Sequence, residues 1–112
     1  MKTLSLVAAT VLLSLSACDK EEEVHTTDWY AAHNAERHAK IQECKNNPGE
    51  LKNTPNCINA YNGHELKRNE CSNEMFQKMP PLPIGSVAKL GEAAVDEYEN
   101  SRTAEYTRCL GE

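Results

Sequence analysis

From Asp28 to Ala60 the chain reads DWYAAHNAERHAKIQECKNNPGELKNTPNCINA, and the two cysteines in that stretch limit the possible folds more than any other feature. Cys44 and Cys57 bound a loop that carries Asn46-Asn47-Pro48-Gly49 and Asn53-Thr54-Pro55-Asn56. Pro48 disfavours helical geometry at Asn47 and Gly49 can take positive φ, so a helix arriving from the N-terminal side stops there. Thr54-Pro55 is a start signal: the threonine caps, and the proline sits at the first helical position, where its missing N–H costs nothing. Cys44 then lies in the last turn of one helix and Cys57 in the first turn of the next. A bridge between them would clamp an αα-hairpin at its neck.

The start of the chain reads differently. Lys2 supplies a positive region and Leu4 to Leu15 an apolar run too short to span a bilayer, the pattern of an export signal. Leu15-Ser16-Ala17-Cys18 resembles the lipobox of bacterial lipoproteins, which implies cleavage before Cys18, diacylglycerol on its thiol and an acylated amine. Several acyl chains hold a protein stably on a membrane. The expected organisation is a signal peptide over 1–17, a lipidated Cys18 with an acidic tether over 18–27, and a helical domain over 28–112. Export to an oxidising compartment makes the remaining Cys44, Cys57, Cys71 and Cys109 candidates for two disulfides in a chain too small and polar to bury much core. Cys71 and Cys109 are natural partners if Cys44 pairs with Cys57, but four cysteines allow three connectivities and sequence does not choose among them.

The formal charge of −5 over the full chain becomes more negative once Lys2 leaves with the leader. No basic patch exists to displace counterions from nucleic acid or to hold anionic headgroups, so nucleic acid is excluded as a partner and the membrane contact falls to the lipid.

The pattern along the domain is all-α: a small disulfide-stapled helical hairpin with additional C-terminal helices. Asp19 to Thr27 has no apolar periodicity and reads as a solvated tether. A helix follows, capped by Thr27 or Asp28 and bending or restarting at Asn34. Tyr30, Ile41 and Cys44 fall on its inward face, with Glu36, Arg37, Lys40 and Glu43 mostly elsewhere. Gly63 weakens the second helix and is expected to split it, after which His64 to Lys78 continues with Cys71, Met75 and Met79 in register. Pro80-Pro81-Leu82-Pro83 forces an extended break, and Ser86 caps a last helix whose apolar stripe runs from Val87 to Cys109.

Chemistry is sparse. His25 falls in the tether, His33 and His38 do not stack on one helix face, and His64 sits beside the break expected at Gly63, so each reads as a polar surface histidine rather than part of a catalytic constellation. The cysteine spacings are far wider than the C-x2-C pairs of thiolate zinc sites. No catalytic residue, metal, cofactor or small-molecule substrate is expected. Trp29 and Tyr30 either pin the hairpin core or present a binding hot spot, and different ring faces could do both. The Asn46 to Asn56 loop is polar and constrained, which suits either a plain turn or recognition by another protein.

The lipobox, the short acidic tether, Asp28-Trp29-Tyr30 and the run Glu43-Cys44-Lys45-Asn46-Asn47-Pro48-Gly49-Glu50-Leu51 leading into Thr54-Pro55-Asn56-Cys57-Ile58-Asn59-Ala60 together resemble the EexN family of entry-exclusion lipoproteins of conjugative plasmids and related mobile elements. The resemblance covers the leader and roughly Thr26 to Ala60, the family-like core of the domain being 28–60, and leaves 61–112 as a C-terminal extension. It implies a non-enzymatic protein that makes a cell refuse redundant conjugative transfer, by contact with the type IV secretion (mating-pair-formation) apparatus of the donor cell. Its motif positions place Trp29, Tyr30, Asn47, Pro48, Gly49, Leu51, Pro55 and Asn56 as candidates for partner binding, with Cys44 and Cys57 as the staple. Asp19 directly after the lipidated cysteine implies retention on the periplasmic face of the inner membrane. The rival readings are a structural or assembly lipoprotein of a type IV secretion system, and an inhibitor of an envelope hydrolase.

Overall fold

A computed structural model describes residues 21–112, so the signal peptide, Cys18 and Asp19 lie outside the described residues. Within them the fold is all-α and holds no strand. The first helix, α1 (Thr27–Ala32), is capped one residue earlier than expected: Thr26 Oγ1 accepts the Trp29 N–H at 3.1 Å. Asp28 in its first turn complements the positive end of the helix dipole. The backbone then leaves helical geometry at His33 rather than Asn34, and α2 (Asn34–Asn46) starts afresh.

The neck between the hairpin helices contains one more element than the sequence suggests. Pro48 opens a single helical turn, α3 (Pro48–Leu51), and Gly49 sits inside it without positive φ. Pro55 opens α4 (Pro55–Lys78) as expected. Thr54, however, does not cap it with its side chain; the hydroxyl donates to the Leu51 carbonyl at 2.7 Å and closes the preceding turn instead.

Gly63 does not split α4, which runs unbroken for 24 residues. Its role is steric. A Cβ at this position would lie 2.8 Å from the Thr27 carbonyl oxygen and from Tyr30 Cβ, and 2.9 Å from the Ala31 nitrogen. Together with the fully buried Ala60 it lets the backbone of α1 lie directly on α4. Gly63→Ala is therefore expected to destabilise the domain, although alanine is the better helix former by about 1 kcal/mol. Overpacking costs about 1–3 kcal/mol, and here the clashing atoms belong largely to backbone. A net loss of up to about 2 kcal/mol, seen as a melting temperature lowered by up to about 10 °C, is the expected outcome. A rise in melting temperature would mean the close approach is not a constraint.

After Met79 the prolines hold the chain extended to a turn at Gly85, where Ser86 Oγ donates to the Pro83 carbonyl at 2.6 Å. The expected single last helix is two, α5 (Ser86–Leu90) and α6 (Glu92–Leu110), because Gly91 takes a φ of +88° that breaks the helix between them. Gly85, not Ser86, is the cap of α5. At the far end Gly111, with φ +77°, closes α6: its N–H and that of Glu112 bond back to the carbonyls of Arg108 and Thr107.

The central element is α4, against which α1, α2 and α6 pack, while α5 lies on α6. The apolar core is small: Tyr30, Ile41 and Ala60, with Trp29 against it. Disulfides supply what burial does not. Cys44 pairs with Cys57 and Cys71 with Cys109, at Cα separations of 6.0 and 5.6 Å. The first holds α2 to α4 at the neck; the second ties α6 to α4.

Two expectations fail for tertiary reasons. Arg37, placed by periodicity on the solvent side, is 0% exposed. Its Nη1 donates to the carbonyls of Tyr30 (3.0 Å) and Ala31 (3.1 Å), and its Nη2 to that of Leu110 (3.0 Å). These are terminal carbonyls of α1 and α6, the negative ends of both helix dipoles. Burial lowers the pKa of the guanidinium, yet its ordinary value is so high that it stays charged. The tether is also shorter than expected. Asn56 donates to the Glu23 carbonyl (2.8 Å) and accepts the His25 N–H (2.9 Å), while Asn59 donates to the His25 carbonyl (2.7 Å). The segment from Glu23 to Thr27 is thus laid along α4 as part of the domain.

Candidate functional site

Docking of the 23–27 segment brings His25 over Trp29, and the start of α2 brings His33 to the other side. The His25 and Trp29 rings stack with centroids 3.7 Å apart and planes 9° from parallel; Trp29 and His33 stack at 4.0 Å and 12°. His33 Nδ1 also donates to the Trp29 carbonyl at 2.6 Å. Trp29 is thus clamped on both faces and half-buried, with its edge against the ring of Tyr30 at 5.1 Å. His25 and His33, expected as polar surface histidines, are half-buried stacking partners of Trp29. The spacing of four residues between His25, Trp29 and His33 hints at neighbouring rings in the sequence, but His25 precedes α1 and His33 follows it, so the stack is set by how the flanking backbone is held.

Beside this stack lies a groove of about 260 Å³ whose walls are Glu22, His25 and Trp29 on one side and Glu36, Lys40 and Glu43 of α2 on the other. Lys40 lies between two carboxylates, paired with Glu22 and, at 2.6 Å, with Glu43. Burial lowers the Lys40 pKa, but its bonds to Glu22 and Glu43 more than offset that and leave it raised. The same Lys40 bond holds the Glu22 carboxyl below its ordinary value.

The other predicted positions divide. Asn47, Pro48 and Gly49 are exposed on α3 and just before it, Pro55 is exposed at the start of α4, and Leu51 is partly covered. Asn47 Nδ2 donates to Glu50 at 2.8 Å, bracing the turn. Tyr30 and Asn56 are 2% and 3% exposed, so neither offers a surface to a partner. Tyr30 belongs to the core, and both ends of the Asn56 amide are used to hold the N-terminal segment. Their motif positions are explained by folding.

No family model, curated protein or solved structure matches the chain. Among the described residues, no three His, Cys, Asp or Glu side chains converge as metal ligands, and no helix is long and apolar enough to cross a membrane.

A second cleft, of about 360 Å³, lies between α2 and α4 and is lined by His38, Gln42, Lys45, Tyr61, His64 and Glu112. The His38 and His64 rings meet edge to face at 6.1 Å, and His64 Nδ1 is buried without a hydrogen-bond partner. Burial lowers the His64 pKa, the Arg37 guanidinium and His38 add to the effect, and Glu65 and Glu112 oppose it. A group with a lowered folded pKa contributes stability that is present above its unfolded value, about 6.5, and lost as pH falls through the folded one. The His64 contribution to unfolding free energy should therefore be constant above about pH 7 and decline below about pH 6.5. The slope between pH 6.5 and 5 should shrink in His64→Gln, followed by urea denaturation at each pH. Equal slopes in the two proteins would remove His64 as the cause.

Proposed function

We propose that this protein is a lipid-anchored, non-enzymatic factor that excludes redundant conjugative transfer by contacting the mating apparatus of an incoming donor. The observation that carries the reading is the C-K-N-N-P-G-E-L-x-x-T-P-N-C run. Its two cysteines form a bridge, and Asn47, Pro48 and Gly49 stand out on the turn that the bridge clamps. A loop held in this way loses little entropy on binding, which favours recognition by a rigid surface. The clamped edge of Trp29 supplies an aromatic of the kind that anchors interfaces. Cys18 would hold the module at the periplasmic face of the inner membrane.

The test is a mating experiment. Recipients expressing the protein should acquire the element that encodes it at reduced frequency and an unrelated element at normal frequency. Unchanged frequencies with every donor would refute the reading. Deleting the gene from the donor should leave donation intact, whereas loss of donation would identify an assembly factor instead.

A further inference from the structure

We propose that the groove beside Trp29 is a docking site for a basic, extended segment of a partner protein, taking a lysine or arginine whose cation lies among Glu22, Glu36 and Glu43. The groove is negative on balance, and its one cation is already engaged. Lys40 is bonded to both Glu22 and Glu43 and its side chain is 12% exposed, while the two carboxylates remain 59% and 52% exposed. Glu36, on the α2 wall, is exposed and pairs with no cation among the described residues. Carboxylates have lone pairs left after one ion pair, and a guest cation can use them.

The aromatic wall decides the shape of the guest. Stacking on His25 and His33 takes both faces of Trp29, so a cation cannot sit over its ring, as cation–π binding requires. The indole edge carries the positive side of the ring quadrupole, which directs the cation to the carboxylates instead. What Trp29 and Ala39 offer is apolar contact for an aliphatic stem, and lysine and arginine combine a long stem with a terminal charge. The volume of about 260 Å³ is below that of ordinary small-molecule sites and suits one long side chain of a peptide. Both walls are fixed before the guest arrives: Asn56 and Asn59 hold the 23–25 segment, and the Cys44–Cys57 bridge holds α2 against α4.

This deepens the contact function proposed above and rests on it only for the identity of the guest, because binding is measured on the purified protein without mating. Trp29 is the only tryptophan in the chain, so fluorescence excited selectively at tryptophan reports this groove alone. The full chain in neutral detergent micelles is titrated with an eight-residue peptide alternating arginine and alanine, with its glutamate counterpart, and with calcium chloride. The arginine peptide should shift the emission saturably, the glutamate peptide and calcium should not, and 0.5 M salt should weaken binding about tenfold. Glu36→Gln with Glu43→Gln should weaken it about tenfold, while Glu92→Gln with Glu97→Gln, the same charge change on α6, should leave it unaltered. Equal weakening in both double variants, an equal response to calcium, or no response to the arginine peptide would overturn the proposal. Normal exclusion in mating with no peptide binding would defeat the groove alone; peptide binding without exclusion would defeat the proposed function and leave the groove.

Discussion

Arg37→Ala should lose about 4 kcal/mol of stability and bring the domain close to its unfolding midpoint if its total lies at the low end for a small domain. The carbonyls of Tyr30, Ala31 and Leu110 all accept from this one guanidinium, those of Tyr30 and Leu110 in buried bonds, and the Tyr30 carbonyl takes the His33 N–H as well. A hydrogen bond to a charged group contributes about 1.5–3 kcal/mol, and deleting a large buried side chain adds a cavity cost of about 2–5 kcal/mol. Water entering the space offsets part of both. Against a total stability of about 5–15 kcal/mol for an ordinary domain the remainder is decisive. Arg37→Lys should recover little, since an ammonium is a point charge and cannot fork between the ends of two helices. Arg37→Met should fall between, filling the volume but leaving the carbonyls unpaired. Urea denaturation measures the ranking, and hydrogen exchange should show loss of protection over 107–112 first. An alanine variant within about 0.5 kcal/mol of the parent would show that the buried arginine is dispensable.

Removing the Cys71–Cys109 bridge should cost about 4 kcal/mol, against about 3 for Cys44–Cys57, since the closed loops span sequence separations of 38 and 13. The character of the loss should differ as well. α6 meets α4 through few buried apolar groups, Leu110 being its one buried residue, and through polar contacts such as Arg102 to the Met79 carbonyl and Tyr98 to that of Pro80. Without the bridge these exposed or half-exposed bonds compete with water and add little. The Cys71→Ser, Cys109→Ser variant is thus expected to release α6 while the α1, α2 and α4 core persists. Limited proteolysis should cut it within 80–91 and leave a core fragment that ends in that segment. Retention of α6 protection in hydrogen exchange would show that noncovalent contacts suffice. The corresponding Cys44→Ser, Cys57→Ser loss should be cooperative, because both cysteines are buried at the centre of the hairpin.

These two effects show where local pattern runs out. The side of the helix on which Arg37 falls is legible from spacing, but its burial depends on the C-terminal ends of α1 and α6 meeting there, a coincidence of residues 73 apart in sequence. The same holds for Asn56 and Asn59. Their side chains pair with a backbone segment more than thirty residues earlier and turn the end of an apparent tether into part of the fold. Gly63 looks like a weak point in a helix because propensity is a local quantity, and it becomes a contact point only when α1 lies on it.

The candidate site divides along the same line. The turn carrying Asn47, Pro48 and Gly49 was legible, since proline and asparagine act within a few residues of themselves. The clamped Trp29 was only half legible: its aromatic neighbours have helical spacing, but His25 stacks on it only because the 23–27 segment is pinned to α4. The groove required both that docking and the ion pairs of Lys40.

By itself, the sequence determined the helical class, the break at Pro80 to Pro83, the start of α4 at Pro55 and the turn between Cys44 and Cys57. Those features follow from φ restrictions and capping within a single turn of chain. Tertiary structure alone chose the disulfide pairing, buried Arg37 and assembled the acidic groove. Each of these depends on which distant carbonyl, carboxylate or sulfur arrives alongside, and in a chain with so few buried apolar residues the long-range polar contacts settle that arrangement.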